Sequence, residues 1–386
     1  MCGLFDKKKG SSVEEAKTAD RSETGRVSSK LSAHQRNSQT AGDYTLEGNI
    51  SSFTTLSDDG TLTYDGTKKA VWSHRNADIP YMHKGPKGAG FIEQPYAEID
   101  GSVMKITDIG RTEVILYLDG NQAASGTVTK EGEVKRTYKW RYRKGNTLHS
   151  FSLEFAFPYS AYSAFTDPKY IRNSLGKNQI PFTVVTDEIK RLSDQLRKRY
   201  IKTFRSDPIG QDYADYLLAF VQGAIAYPDR IPRDNGDQHS GDYSVYGKEE
   251  YWAFGMETLF RGTGDCEDTS ILFCTLASAA GFRSCLGLLK SHAVAGVVLD
   301  RFRNQPSSLA PSYRGMKDSD DVVYFCETTF KDPSPVGYVD KRIAEEISDL
   351  RSVRMIEPGT GKECSRPAPL RRYRLEFIFG QTIGIC

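Results

Sequence analysis

The feature that most constrains this 386-residue chain is an order of side chains: Cys266, then His292, then Glu327. Cys266 lies in Gly262-Thr263-Gly264-Asp265-Cys266-Glu267-Asp268, directly before a stretch with helical spacing. From Thr269 to Ala280, Ile271, Leu272, Leu276 and Ala279 share one face, and Gly281 supplies a stop. A cysteine in the first turn of a helix meets free backbone N–H groups and the positive dipole end, which favour thiolate. His292 opens the apolar run Ala293-Val294-Ala295-Gly296-Val297-Val298-Leu299, and Glu327 follows Val322-Val323-Tyr324-Phe325-Cys326. Both runs read as buried strands. Neighbouring strands beside that helix start would bring imidazole to thiol and carboxylate to imidazole.

Each residue alone has a plainer explanation. A cysteine at a helix start is usually a small buried hydrophobe, and a histidine beside a strand a satisfied core residue. The combination points to chemistry. Of the six histidines (His34, His74, His83, His149, His239, His292), only His292 lies in a core-like stretch downstream of Cys266.

Several segments also carry a family resemblance. Tyr251-Trp252-Ala253-Phe254-Gly255-Met256-Glu257-Thr258-Leu259, Gly264-Asp265-Cys266-Glu267-Asp268, Ala280-Gly281-Phe282, His292-Ala293-Val294-Ala295-Gly296-Val297 and Glu327-Thr328-Thr329 resemble the transglutaminase-like superfamily. Its prokaryotic cysteine proteinase branch is the nearest in motif. Phe220-Val221-Gln222 and Ile225-Ala226-Tyr227 resemble the helix such proteins carry ahead of the cysteine. The likeness runs from Asp207 to Val339, under half the chain. It implies a papain-like core ordered Cys, His, Asp, which maps onto Cys266, His292 and Glu327. Glutamate in the third place reaches one methylene further than aspartate, so its strand must sit slightly back. Asp332 is the fallback orienter.

The resemblance implies acyl transfer on amide bonds of proteins or peptides through a thioester. Cys266 would attack the carbonyl, His292 would protonate the leaving amine, and Glu327 would hold the ring. Water as second nucleophile gives a peptidase or amidase, the preferred reading. A lysine amine gives a protein-glutamine transglutaminase. Oxyanion donors would be the Cys266 N–H and one side chain. Gln222 is the candidate, as an amide on an otherwise apolar helix face, with the solvent edge of that helix as an equal explanation. A different class, a non-catalytic binding scaffold that retains the fold, is the remaining alternative.

Asp265, Glu267 and Asp268 flank the thiol, and their charge opposes thiolate. In some bacterial cysteine proteinases that look like this segment, such acids hold calcium, a hard ion suited to oxygen ligands. Asp265 as N-cap, with Glu267 and Asp268 complementing the dipole, is the preferred reading. No metal and no cofactor are therefore assigned. Cys266, Cys274 and Cys285 lack the paired spacing of a zinc site.

A net charge of +2 names no strongly electrostatic partner. Lys7-Lys8-Lys9 and Arg197-Lys198-Arg199 are short and lack the interleaved aromatics of a nucleic-acid platform, so a protein or peptide substrate is expected and nucleic acid is not. No segment reaches membrane-spanning length. Seven cysteines, with Cys274, Cys285 and Cys326 in apolar runs, fit reduced thiols in a cytoplasmic protein. Cys2-Gly3 leaves a lipoprotein with its signal removed as the alternative.

The expected fold class is α+β: a papain-like, transglutaminase-like catalytic domain after a small, mostly antiparallel β domain. Residues 1–42, poor in large apolar side chains, should form a disordered tail. Residues 43–180 form the β domain. Asp59-Gly60, Asp65-Gly66, Asp100-Gly101 and Asp119-Gly120 mark hairpin-type turns, and Val114 to Leu118 a central strand. Tyr138, Trp140 and Tyr142 alternate with Lys139 and Arg141, which reads as packing of one sheet face in preference to a binding surface. Residues 181–350 form the catalytic domain. Thr186 should cap a helix with Ile189, Leu192, Leu196 and Tyr200 as its core stripe, and Pro228 to Tyr246 should be a long loop walling a cleft. Residues 351–386 form an extension whose Tyr373, Leu375, Phe377 and Phe379 alternate as a last strand.

Overall fold

Alternation along the N-terminal half becomes strand after strand in the computed structural model. It describes residues 38–78, 81–85, 88–92, 96–166, 180–230, 232–233, 236–290, 292–300, 323–339, 341–347 and 352–362. The first strands are β1 (Ser38–Ala41), β2 (Tyr44–Gly48), β3 (Thr55–Leu56), β4 (Thr61–Thr63), β5 (Ala70–Asn76) and β6 (Tyr81–Gly85). Next come β7 (Gly88–Ile92), β8 (Ala97–Asp100), β9 (Val103–Lys105), β10 (Gly110–Leu118) and β11 (Asn121–Lys130). An antiparallel sheet runs β1-β2-β11-β10-β5-β8, and a smaller one β3-β4-β9. Val114, Leu116 and Leu118 of β10 face inward with Leu46, Leu62, Trp72 and Val128, while the residues between them are part-exposed. This is the period-two pattern of a sheet with one dry face.

The turn after β10 shows why an Asp-Gly pair was needed. Asp119 and Gly120 both have positive φ, 52° and 81°, as the tight two-residue turn requires. β1 lies inside the segment expected to be tail: Ser38–Ala41 pairs with β2, and the Gln39 amide donates to the Ser51 and Thr54 carbonyls. Residues 1–37 of that tail, and the strand expected around Tyr373 to Phe379, lie outside the described residues.

A long hairpin, β12 (Glu133–Lys144) and β13 (Thr147–Pro158), follows. Trp140 pairs with Phe151 and Tyr138 with Leu153. Helices then take over: α1 (Tyr159–Ser163), α2 (Asp187–Phe204), α3 (Gly210–Ala224), α4 (Gly241–Tyr246), α5 (Gly255–Arg261) and α6 (Cys266–Ala279). Thr186 caps α2, its Oγ1 accepting from the Ile189 N–H. α4 occupies the end of the stretch expected to be all loop, because Ser240 caps it and Asp242 and Val245 turn inward.

The hairpin's aromatic face packs on α3. Tyr138 and Trp140 meet Phe220 edge-on, with ring centroids 5.6 and 5.2 Å away. Gly223 permits this approach, since a Cβ there would lie 2.7 Å from Trp140 Cβ. The hairpin's inner face and the helices thus share one buried cluster.

The last described elements are β14 (Ser284–Leu288), β15 (Ala293–Val298), β16 (Val323–Cys326), α7 (Lys341–Ile347) and β17 (Ser352–Ile356). Their antiparallel sheet runs β16-β15-β14-β17. Gly296 in β15 is forced by packing: a Cβ would lie 2.7 Å from both Cys285 Sγ and Val323 Cγ1. Among the described residues the structure is mixed α and β, with several antiparallel sheets and seven α-helices. No helix among them is long and apolar enough to cross a membrane.

Candidate active site

The approach to Cys266 is fixed by backbone pairing. Ala226 N–H donates to the Gly262 carbonyl, and the Ala226 carbonyl accepts from Gly264 N–H and Thr263 Oγ1. Gly262, at φ 67°, closes α5, and Gly264 lets the chain pass Asp268, whose Cβ would be 2.7 Å from a side chain there. Asp265 then caps α6 through Oδ1, accepting from the Glu267 and Asp268 N–H groups at 3.2 and 3.5 Å. Cys266 is the first helical residue and is 7% exposed.

The expected pull of the helix terminus toward thiolate is outweighed. Burial pushes the Cys266 thiol well above its ordinary value, and Glu267 and Asp265 add to the shift. The S–H donates to Glu267 Oε2 at 2.8 Å. The backbone N–H of Ala293, next to His292, works the other way and favours the thiolate.

His292 and Glu327 are joined. His292 Nε2 lies 2.8 Å from Glu327 Oε2, with side chains 12% and 3% exposed. The other carboxylate oxygen, Oε1, accepts from Thr329 N–H and Oγ1 at 3.0 and 2.7 Å. Burial alone would raise the Glu327 pKa, but His292 and Thr329 hold it below the usual value. With Nε2 on the carboxylate, Nδ1 is the ring nitrogen left for another partner. No hydrogen bond joins the Cys266 thiol to the ring in this arrangement; the thiol is turned to Glu267.

Gln222 is buried within the molecule. Its Nε2 donates to the Glu327 carbonyl at 2.7 Å, and its Oε1 accepts from Ser334 N–H at 3.0 Å. Two turns earlier on α3, Asp215 Oδ1 accepts from Val336 N–H at 2.7 Å. The helix thus grips the segment after β16 at both ends. Asp332 goes elsewhere: its carboxylate pairs with Arg141 Nη2 at 2.7 Å and is 87% exposed. His239 stacks on Tyr243 and contacts Glu249, away from the thiol's hydrogen-bond partners.

Sequence reasoning missed the depth of the acid cluster. Asp242 of α4 and Asp268 of α6 are buried, and with Asp265 they bring one oxygen each within 4.8 Å of one another. Asp265, Cys266 and Glu267 form a second such group. Burial, then Asp265 and Asp268, push the Asp242 pKa up to about 11. Asp242 Oδ2 accepts from Tyr251 N–H, while its Oδ1 has no partner. These hard oxygen donors are the residues that would hold a divalent cation. The signal available in sequence was only the run of acids at 265–268; Asp242 joins from 23 positions upstream.

No protein-family model matches the chain, and no curated protein matches it. Among solved structures, the chain is similar to a candidate cysteine protease of Cytophaga hutchinsonii at 13% identity. That alignment covers 62% of this chain and 71% of the other, with a TM-score of 0.18. A candidate protease of Parabacteroides distasonis is similar at 10% identity, over 78% and 69% of the two chains, with a TM-score of 0.21. Likeness at this level fixes neither fold family nor chemistry.

Proposed function

We propose that this protein is a cysteine-dependent acyl-transfer enzyme of the transglutaminase-like, papain-like type, acting as a peptidase or amidase. The observation that carries the reading is the His292–Glu327 pair at 2.8 Å, one residue from the Ala293 N–H that favours the Cys266 thiolate. Residues 181–350 are the catalytic domain in this reading and 43–180 the accessory β domain, whose β12–β13 hairpin packs on α3.

The chemistry follows from the free ring nitrogen. The Cys266 thiol leaves Glu267, gives its proton to His292 Nδ1, and the sulfur attacks an amide carbonyl carbon. The C–N bond breaks as His292 returns that proton to the leaving amine, which leaves a thioester on Cys266. Water attacks the thioester, His292 takes its proton, and the released sulfur recovers a proton from the ring. Glu327 keeps the ring in one tautomer throughout and balances its charge. The Cys266 N–H and the second hydrogen of the Gln222 amide are the oxyanion donors in this scheme.

The test is incubation of the full chain with a mixture of unfolded proteins, followed by mass-spectrometric mapping of products. New peptide termini that vanish in both Cys266→Ala and His292→Ala are expected. Glutamine–lysine cross-links with the same dependence would make it a transglutaminase instead. Absence of either product, together with a Cys266 alkylation rate that His292→Ala leaves unchanged, would overturn catalysis. The neutral, buried thiol favours that second reading, a binding scaffold.

A further inference from the structure

The packing of the hairpin's aromatic face turns its cations outward. Tyr138, Trp140 and Tyr142 are buried, so Lys135, Lys139, Arg141 and Arg143 of β12 all face solvent. Alternate residues on a strand stand roughly 7 Å apart, so Lys139, Arg141 and Arg143 form an evenly spaced row, and Lys135 lies beyond Thr137 at about twice that step. The strand opposite offers little to neutralise them. Lys139 faces Ser152, Arg141 faces Ser150 and Arg143 faces Leu148, and the one acid outward on β13 is Glu154, opposite Thr137.

Arg141 pairs with the exposed Asp332, whereas no carboxylate pairs with Lys135, Lys139 or Arg143 among the described residues. Like charges in a row repel, so the arrangement costs stability unless something acidic lies on it. In a chain with a net charge of only +2, this is a marked local concentration. At its edge the row borders a cavity of about 400 Å³ between the hairpin, α3 and the segment after β16, lined by the inward Trp140 and Phe151 and by Ala219 and Gly223 as well as by Lys139, Arg141 and Lys331. Lys331 adds a further cation without a carboxylate partner among the described residues.

We propose that the solvent face of the β12–β13 hairpin is a docking site for an extended, acidic peptide segment of the protein substrate. An extended peptide repeats its side chains every second residue at the same spacing as the cations. The cavity at the edge of the row, with Lys139, Arg141 and Lys331 in its lining, accepts one acidic side chain reaching in from that face. Single-stranded nucleic acid fits less well, because the aromatic rings it would stack on are on the buried side. A flat anionic membrane has no use for a side-chain-sized cavity. The naming of the partner as substrate rests on the enzyme reading above, but the binding itself does not.

The cavity also touches the catalytic segment. Lys331 and Pro333 precede Ser334, whose N–H is held by Gln222, and Gln222 holds the Glu327 carbonyl. An acidic segment seated there would steady the stretch that places Glu327.

The test uses the full-length Cys266→Ala protein, which binds without turnover. A fluorescein-labelled peptide of alternating Glu and Ala is titrated, followed by anisotropy, at low and at physiological salt. Binding is expected, weakened by salt, and absent for the same peptide with Gln in place of Glu. Lys139→Glu with Arg143→Glu should weaken it roughly tenfold or more, as inversion of two attractive contacts requires. The neutral pair Lys139→Gln with Arg143→Gln should give an intermediate loss, and thermal unfolding of both variants checks that they fold. No binding, or binding indifferent to these substitutions, would overturn the proposal. So would tighter binding of an oligothymidylate, or of phosphatidylserine vesicles, lost in the same variants. Failure of catalysis with peptide binding intact would remove the substrate label and leave the docking site standing.

Discussion

Glu267 occupies the position that decides how Cys266 behaves at rest. Its carboxylate accepts the thiol proton and raises the thiol pKa together with burial. Glu267→Gln removes the negative charge, so the thiol pKa falls and alkylation of Cys266 at pH 7–8 should accelerate several-fold. Measured rates that stay level would mean that burial alone holds the thiol neutral. Asp242 gives a second prediction, in stability. Its pKa in the fold is far above the ordinary carboxylate value, so the folded state binds this proton more tightly than the unfolded one. Stability from this group is full below the ordinary carboxylate range and is lost as pH climbs toward about 11. Asp242→Asn should stabilise the protein at pH 7 by roughly 1–3 kcal/mol and flatten the alkaline slope of its unfolding curve. Destabilisation at pH 7 instead would mean that Asp242 is ionised against a bound cation. Of these residues the sequence made Cys266, His292 and Glu327 legible, because each sits where a helix or strand begins or ends. It could not reveal the Cys266–Glu267 hydrogen bond, which depends on side-chain rotamers, nor Asp242, which arrives on the short helix α4.

At the scale of elements, α3 links the hairpin to the segment after β16. Its Gly223 lies against Trp140, and its Gln222 and Asp215 hold the Glu327, Ser334 and Val336 backbone. Gly223→Ala would force a Cβ into contact with Trp140 and should destabilise by about 1–3 kcal/mol in urea unfolding. Gln222→Ala strands a buried Glu327 carbonyl and Ser334 N–H, at a cost of about 1–3 kcal/mol. If Gln222 also serves the oxyanion, Gln222→Glu, which can still accept from Ser334, should lose turnover far beyond its loss of stability. The apolar run Val114 to Leu118 made β10 readable, period-two alternation made β12 readable, and the Thr186 N-cap with its helical stripe found α2. β17 was not readable: Ser352-Val353-Arg354-Met355-Ile356 is short, and only its register against β14 defines it. α4 escaped for a similar reason, since six residues rich in Tyr, Ser and Gly carry little helical signal before Asp242 and Val245 find the core.

For the whole molecule, the sheet β16-β15-β14-β17 covers Cys274 and Cys326 with α6 on one face and Cys285 with Val339 and α7's Ile343 on the other, all three free and fully buried. Burial raises all three thiols, Cys274 to about 12, so in the closed protein they are both inaccessible and protonated. These thiols make the chain its own unfolding clock. An alkylating reagent can reach Cys274 and Cys326 only when α6 parts from the sheet, and Cys285 only when the opposite face opens, so their labelling rates count openings of this sheet under native conditions. Mass mapping over hours would then assign each variant above a local opening free energy at three fixed points, without denaturant. A variant that speeds Cys266 while leaving these three unchanged has altered the chemistry of the thiol; one that speeds all four has loosened the fold.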